Sequence, residues 1–364
     1  MIKIEAPKEG DPLRTWRKLH HGTSIWWYLQ SRNKKSVTIN LKSPRGQDVV
    51  RRLVKDADVL IENFRPGALE KWGLGWEQLS AVNPNLVMVR ISGFGQTGPY
   101  SQRPGFGAIA EAMGGIRYTT GSPDRDPART GISLGDSLAS LHAVIGALMG
   151  LLAVKTGRAR GQVVDVSLAE SVLNLMEGLV PEYDLFGVIR ERLGAKLPGI
   201  APSSTYRTRG GAWGVIGGNS DSIFRRLMLA IGRVDLAEDP RLQRNDGRVA
   251  HEELIDQAIS DWTTVNDIEF VLDALGDAEI PSGRIYTAAD IAVDPHYQAR
   301  EMIVPTQLLD GTQVKMPGIA PKLSETPGHI NWLGPELGAH TDAVLKELGF
   351  SDAELAELRS VGAI

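Results

Sequence analysis

Ser36-Val37-Thr38-Ile39-Asn40-Leu41, Ser43-Pro44-Arg45-Gly46, Val59-Leu60-Ile61-Glu62-Asn63 and Leu86-Val87-Met88-Val89-Arg90-Ile91-Ser92 decide the fold, because across residues 36–92 short β-rich runs alternate with amphipathic segments. That alternation marks βαβ units, in which a parallel sheet is covered by helices. Pro44 suits the first turn of a helix expected to run to about Ala57, since the N–H it lacks would have no partner there anyway. The three apolar runs are expected at fully or nearly buried sheet positions. Short helices are expected over 68–72 and 76–82, between the second and third strands.

Downstream, a loop rich in Gly and Pro leads to an expected helix over Ala108–Gly115 and a long loop over Thr119–Gly135. Ser137 to Val154 then runs 18 residues without a charge, the length at which a membrane span becomes a candidate. Ser137, Ser140, His142 and the small-residue spacing Gly146-Ala147-Gly150 instead favour a helix buried between layers of a soluble domain. Gln162–Val166 reads as a strand and Leu168 to about Leu193 as helix. Residues 194–208 lose their periodicity and are rich in Pro, Ser and Gly, so a domain boundary is placed there. A smaller α+β region follows, with a strand at 213–216, helices near 220–231, 252–262 and 265–275, and a strand leading to Ile280-Pro281-Ser282-Gly283. The tail reads as two short helices, 341–348 and 352–358, with Ser351 as a cap.

The chain has 364 residues, 40 Lys+Arg against 44 Asp+Glu, and no Cys. A net charge of −4 supplies no field to draw in nucleic acid, so any phosphate recognition must be local. Without Cys there is no disulfide scaffold, thiolate metal site or catalytic thiol. The seven His form no H-E-x-x-H, and the neighbours His20 and His21 are not expected to share one metal; no metal site is expected. Met1-Ile2-Lys3-Ile4-Glu5 shows no secretory leader, which points to the cytoplasm.

Two short motifs fail on context. Gly93-Phe94-Gly95-Gln96-Thr97-Gly98 matches G-x-G-x-x-G, yet Pro99-Tyr100-Ser101 and more loop follow it where a dinucleotide fingerprint would open a helix. Gly131-Ile132-Ser133-Leu134-Gly135 matches a nucleophile elbow but lacks the preceding strand. Asp136, at the N-terminal edge of the uncharged helix, is either a plain N-cap or a single ionised carboxylate available as a nucleophile. Arg32, Lys34, Lys35 and Lys42 bracket the first buried strand, and Arg65, Lys71 and Arg103 lie on later loops. Each is either solvated loop charge or a phosphate contact at a sheet end.

Taken in order along the chain, Ile2–Glu5 with Gly10-Asp11-Pro12, Asn33–Ser36, Asp58–Gly67, Ser92–Tyr100, Gly157–Val166, Asp294–Tyr297 and Gly338–Asp342 resemble the class III CoA-transferase family of CaiB/BaiF type. The resemblance spans nearly the whole chain. It implies a Rossmann-like CoA-binding domain (1–195), a small α+β domain (196–320), a segment (321–364) returning to the first, and an interlocked homodimer. By motif matching it makes Asp136, in Leu134-Gly135-Asp136-Ser137, the nucleophile that carries the acyl group as an anhydride and then CoA as a thioester. Ile39, Lys42, Asn63, Phe64, Lys71, Trp72 and, more loosely, Arg103 become the CoA contacts. No permanently bound cofactor is implied; the partners are an acyl-CoA and a small carboxylic acid, with neither nucleic acid nor membrane.

An acyl-CoA racemase of the same superfamily is the alternative activity the resemblance leaves; that branch needs a His near Phe106, and Phe moves no proton, which favours the transferase. The chain also departs from the family pattern. It begins inside what resembles the second strand, so an N-terminal βα unit is expected to be missing, which leaves a truncated, non-catalytic CoA-binding relative as the competing reading. It has no run of four glycines like that of the formyl-CoA enzyme. Pro198–Ser204 resembles members that act on dicarboxylic acids such as succinate.

Overall fold

Strand β1 (Ile2–Glu5) lies parallel to β2 (Lys35–Thr38), with Ile2 opposite Lys35 and Glu5 opposite Thr38. The computed structural model describes residues 1–364 and divides them into two compact units. The first comprises Met1–Glu111, Ser133–Asn174 and Ala292–Ile364; the second comprises Ala112–Ile132 and Leu175–Ile291. The sequence reading draws its lines instead at 195 and 320.

In the first unit, helix α1 (Pro44–Lys55) connects β2 to β3 (Val59–Glu62). A parallel three-stranded sheet runs in the order β3, β4 (Val87–Ser92), β5 (Gln162–Ser167), with Val87 opposite Gln162 and Ser92 opposite Ser167. Val87, Met88 and Val89 are fully buried, as expected for a strand covered on both faces, whereas the expected burial fails in β3, where Ile61 is 52% exposed. Val49, Val50 and Val54 form the inward face of α1 and pack with Leu69, Leu79 and Met88. Each such side chain contributes roughly 1.5–3 kcal/mol of burial. The tail helices Thr341–Glu347 and Asp352–Ser360 add Val344, Leu345, Leu355 and Leu358 to the same core. The second of these helices starts with a full capping box between Ser351 and Glu354.

Helix α2 (Gly107–Met113) and the 22-residue helix α3 (Leu134–Lys155) follow β4. Small residues seat α3 on the sheet: a Cβ on Gly146 would lie 2.4 Å from a Val164 methyl, and one on Gly150 would lie 2.8 Å from a Val87 methyl. The expectation of a helix buried between layers is overturned. Only Gly135, Leu138, Ala139, Ala143, Ala147 and Gly150 are buried. Leu141, Val144, Ile145, Leu148, Met149 and Leu152 form an apolar stripe that is more than half exposed, because the chain's own layers cover one side only. By length and composition this is the one helix long and apolar enough to cross a membrane.

The second unit holds an antiparallel sheet in which Trp213–Gly217 pairs with both Ser203–Arg207 and Ser282–Arg284. Helices Asp221–Ala230, Glu252–Thr264 and Ile268–Asp277 pack over it through Phe224, Leu227, Ile255, Ile259 and Val271. Residues 168–207, which run from the first unit into the second, correct two expectations. The helix read from 168 to about 193 is two short helices, Leu168–Leu173 and Leu179–Phe186, broken around Glu177, whose φ is positive, and ended by Gly187 in the left-handed region. Strand Ser203–Arg207 falls inside the stretch expected to lack periodicity: it does alternate, but its inward residues are Ser204 and Tyr206.

Candidate active site

The N-terminal turns of α2 and α3 meet at two glycines. A Cβ on Gly135 would lie 2.9 Å from the Gly107 carbonyl oxygen, so the helix starts approach more closely than side chains would allow. Asp136 projects from this junction. Ser133 occupies the N-cap, without a side-chain capping bond, and Asp136 is the third residue of α3. The plain N-cap reading of Asp136 is therefore wrong: its carboxylate stands in the first turn, where the helix dipole favours negative charge.

That carboxylate rests on the bare Cα of Gly107, since a Cβ built there would lie 2.3 Å from Oδ2, 2.7 Å from Cγ and 2.9 Å from Oδ1. Asp136 is exposed in the chain, so its carboxylate is accessible to a substrate. Phe106, exposed itself, precedes α2, and its carbonyl accepts the N–H groups of Ile109 and Ala110. One acid that the sequence reading missed lies beside the pair: Glu111 of α2 is 2% exposed and accepts the Gly135 N–H at 3.3 Å. A single Glu within Ala108-Ile109-Ala110-Glu111-Ala112-Met113 carries no signal of burial.

The CoA candidates distribute over three loops. Phe64 and Trp72 meet edge to face with ring centroids 5.2 Å apart, and Lys71 is the exposed last residue of helix Ala68–Lys71. Asn63 and Phe64 stand exposed just past β3. Beneath them is an ion network that the sequence reading also missed. Buried Glu62 accepts the Phe64 N–H at 2.7 Å and the Arg90 Nε–H at 2.7 Å, while Arg90 Nη1 reaches Glu70 at 2.7 Å. Burial pushes the Glu62 carboxyl above its ordinary value, and the bonds from Arg90 and Phe64 only partly offset this.

Lys42 is exposed, with its N–H held by the Asn40 side chain at 3.1 Å. The Arg103 guanidinium lies 3.8 Å from the Tyr100 ring centroid. Ile39 is corrected: its side chain is 1% exposed and packs in the core, and its N–H is taken by the Glu5 carbonyl, so no Ile39 side-chain contact with a ligand is available. Arg32 donates to the Pro317 carbonyl, Lys34 to the Gln30 carbonyl and Lys35 to Glu347, which assigns these three internal partners.

His20 and His21 do converge, contrary to expectation. His21 and Gly22 both take positive φ in the hairpin turn, which folds the second ring back toward the first. His20 Nε2 is 2.7 Å and His21 Nε2 3.4 Å from the same Asp310 carboxylate oxygen. The Thr312 N–H and His20 hold the Asp310 carboxyl down at about 2. Arg14, paired with Glu5 at 2.8 Å, and Glu336 line the same cavity of about 240 Å³.

A family model described as CoA-transferase family III matches residues 1–341. Succinyl-CoA--D-citramalate CoA-transferase of Chloroflexus aurantiacus is 49% identical, over 99% of this chain and 90% of that protein. The beta subunit of succinyl-CoA--L-malate CoA-transferase from the same organism is 42% identical, again over 99% and 90%. Among solved structures, a CaiB/BaiF family protein from Brucella suis superposes with a TM-score of 0.81 at 33% identity, covering 95% of this chain and 91% of that one.

Proposed function

From the premise that this chain belongs to the CoA-transferase family III, we propose that it moves CoA from succinyl-CoA to a dicarboxylic or hydroxydicarboxylic acid, with Asp136 as the covalent carrier. The observation that carries this reading is the Asp136 carboxylate, accessible in the first turn of α3 and backed by Gly107. The donor is taken from the succinyl-CoA in the names of both relatives, and their acceptors set the acceptor class.

In this mechanism an Asp136 carboxylate oxygen attacks the thioester carbonyl carbon. The C–S bond breaks, giving a mixed anhydride and CoA thiolate. Thiolate attacks the Asp136 acyl carbon, releasing succinate and leaving an aspartyl-CoA thioester. The acceptor carboxylate attacks that thioester in turn, and the freed thiolate then takes the acceptor's acyl carbon and restores Asp136. No water enters, so the thioester's free energy is conserved provided the site is closed to hydrolysis. Backbone N–H groups near Gly107 are the candidate oxyanion donors.

Phe64 and Trp72 offer a face for adenine, and Lys42, Lys71 and Arg103 offer charge for the phosphates. The apolar stripe on α3 supports a homodimer, because a soluble chain rarely leaves so continuous an apolar face uncovered. Racemisation finds no proton carrier at Phe106. Hydroxylamine trapping after incubation with succinyl-CoA, read by peptide mass spectrometry, should place the label on Asp136. A fully active Asp136→Ala protein would overturn the mechanism.

A further inference from the structure

Building on the assignment of Asp136 as nucleophile, the geometry points to Glu111 as a positioning residue for the reaction, one that fixes the Asp136 carboxylate against Gly107 without touching substrate. Gly107 and Glu111 are four residues apart on α2 and therefore share one helix face. From that face α2 holds the first turn of α3 at two points. The bare Gly107 Cα receives the Asp136 carboxylate, and the Glu111 carboxylate accepts the N–H of Gly135, the residue immediately before it.

The N-cap of α3 does not perform this task itself. Ser133 makes no side-chain capping bond, although it is the position from which a hydroxyl ordinarily satisfies the first-turn donors. Glu111 supplies an acceptor from a different helix, and burial of both Glu111 and Gly135 makes that acceptor costly to lose. The cap is thus also the link between nucleophile and backstop: loosening it lets α3 slide on α2, and the carboxylate leaves the contact on which its direction of attack depends. A shift of about 1 Å at a reacting group is worth about a hundredfold in rate.

The test compares Glu111→Leu, Glu111→Gln and Asp136→Ala by steady-state kinetics with succinyl-CoA, alongside hydroxylamine trapping and thermal melts. Glu111→Leu should lower kcat tenfold or more while KM for succinyl-CoA stays within about twofold, because the CoA contacts lie on other loops. Glu111→Gln keeps an acceptor oxygen at the same reach and should recover most of kcat. A folded Glu111→Leu protein with wild-type kcat overturns the proposal, as does a kcat loss matched by an equal rise in KM. If Glu111→Leu melts far below the wild type, Glu111→Gln decides: a stable Gln variant as slow as an Asp136 variant removes the acceptor role. An active Asp136→Ala protein brings down the nucleophile reading itself, whereas an inactive one beside a fully active Glu111→Leu removes only the positioning role.

Discussion

Gly107→Ala tests whether the contact beneath Asp136 matters to turnover. The added methyl carbon would start 2.3 Å from Asp136 Oδ2, where ordinary contact begins near 3.4 Å, so carboxylate and methyl must part by about 1 Å. The backbone offers no relief, since both helix starts are fixed by the Gly107–Gly135 approach. Gly107 itself is not in the left-handed region, so alanine brings no backbone strain of its own. The yielding group is the Asp136 side chain, which is exposed and can rotate at a cost of about 0.5–1.5 kcal/mol. Stability should therefore change little. A displacement of this size at a nucleophile lowers kcat about a hundredfold, equivalent to about 2.7 kcal/mol of barrier. The assay is transfer from succinyl-CoA to a panel of dicarboxylic acids with the CoA esters separated by chromatography, together with a thermal melt. A Gly107→Ala protein that melts normally and retains kcat within threefold would refute the idea that the carboxylate's seat on Gly107 sets its attack.

Three further outcomes follow from the packing. Arg90→Met leaves buried Glu62 without its cation and should cost about 3–5 kcal/mol in urea unfolding; the Glu62→Gln, Arg90→Met pair should recover much of that loss, and equal stability of the single and double variants would contradict the network. Leu148→Glu places a charge in the α3 stripe and should halve the sedimenting mass if a second copy covers it; an unchanged mass removes that partner. Asp310 has its carboxyl lowered from 3.8 to about 2, so its contribution is present above pH 4 and lost as pH falls toward 2; Asp310→Asn should flatten that limb of the acid-unfolding curve, and superposable curves would remove the effect.

What was legible in the sequence follows from what each segment buries. Strand β4 stood out because Val87, Met88 and Val89 are covered on both faces and read as an apolar run. Ser203–Arg207 was hidden because it buries a serine and a tyrosine where the eye seeks Val or Ile. The break near Glu177 needed a positive φ at a residue type that seldom adopts one. Helix α3 was legible as a helix, but composition alone could not say that only one side is covered within the chain. At the site, the setting of Asp136 and the family resemblance singled it out as a candidate, whereas Glu111 and the Glu62–Arg90–Glu70 network gave no signal: a lone acid or arginine in a window looks solvated until tertiary structure brings its partner.

Arg90 grips the end of β3 through Glu62 and the helix beyond the loop through Glu70, so the segment carrying Asn63 and Phe64 is tied at both ends before any ligand arrives. A surface already set pays little ordering entropy on binding. On the proposed reading, a ligand that stacks on Phe64 and Trp72 meets a surface needing little rearrangement, and that surface sees only the end of the ligand remote from any acyl group. Selection among acyl groups must then be made elsewhere, at the later moment when a carboxylate has to be met in the right orientation.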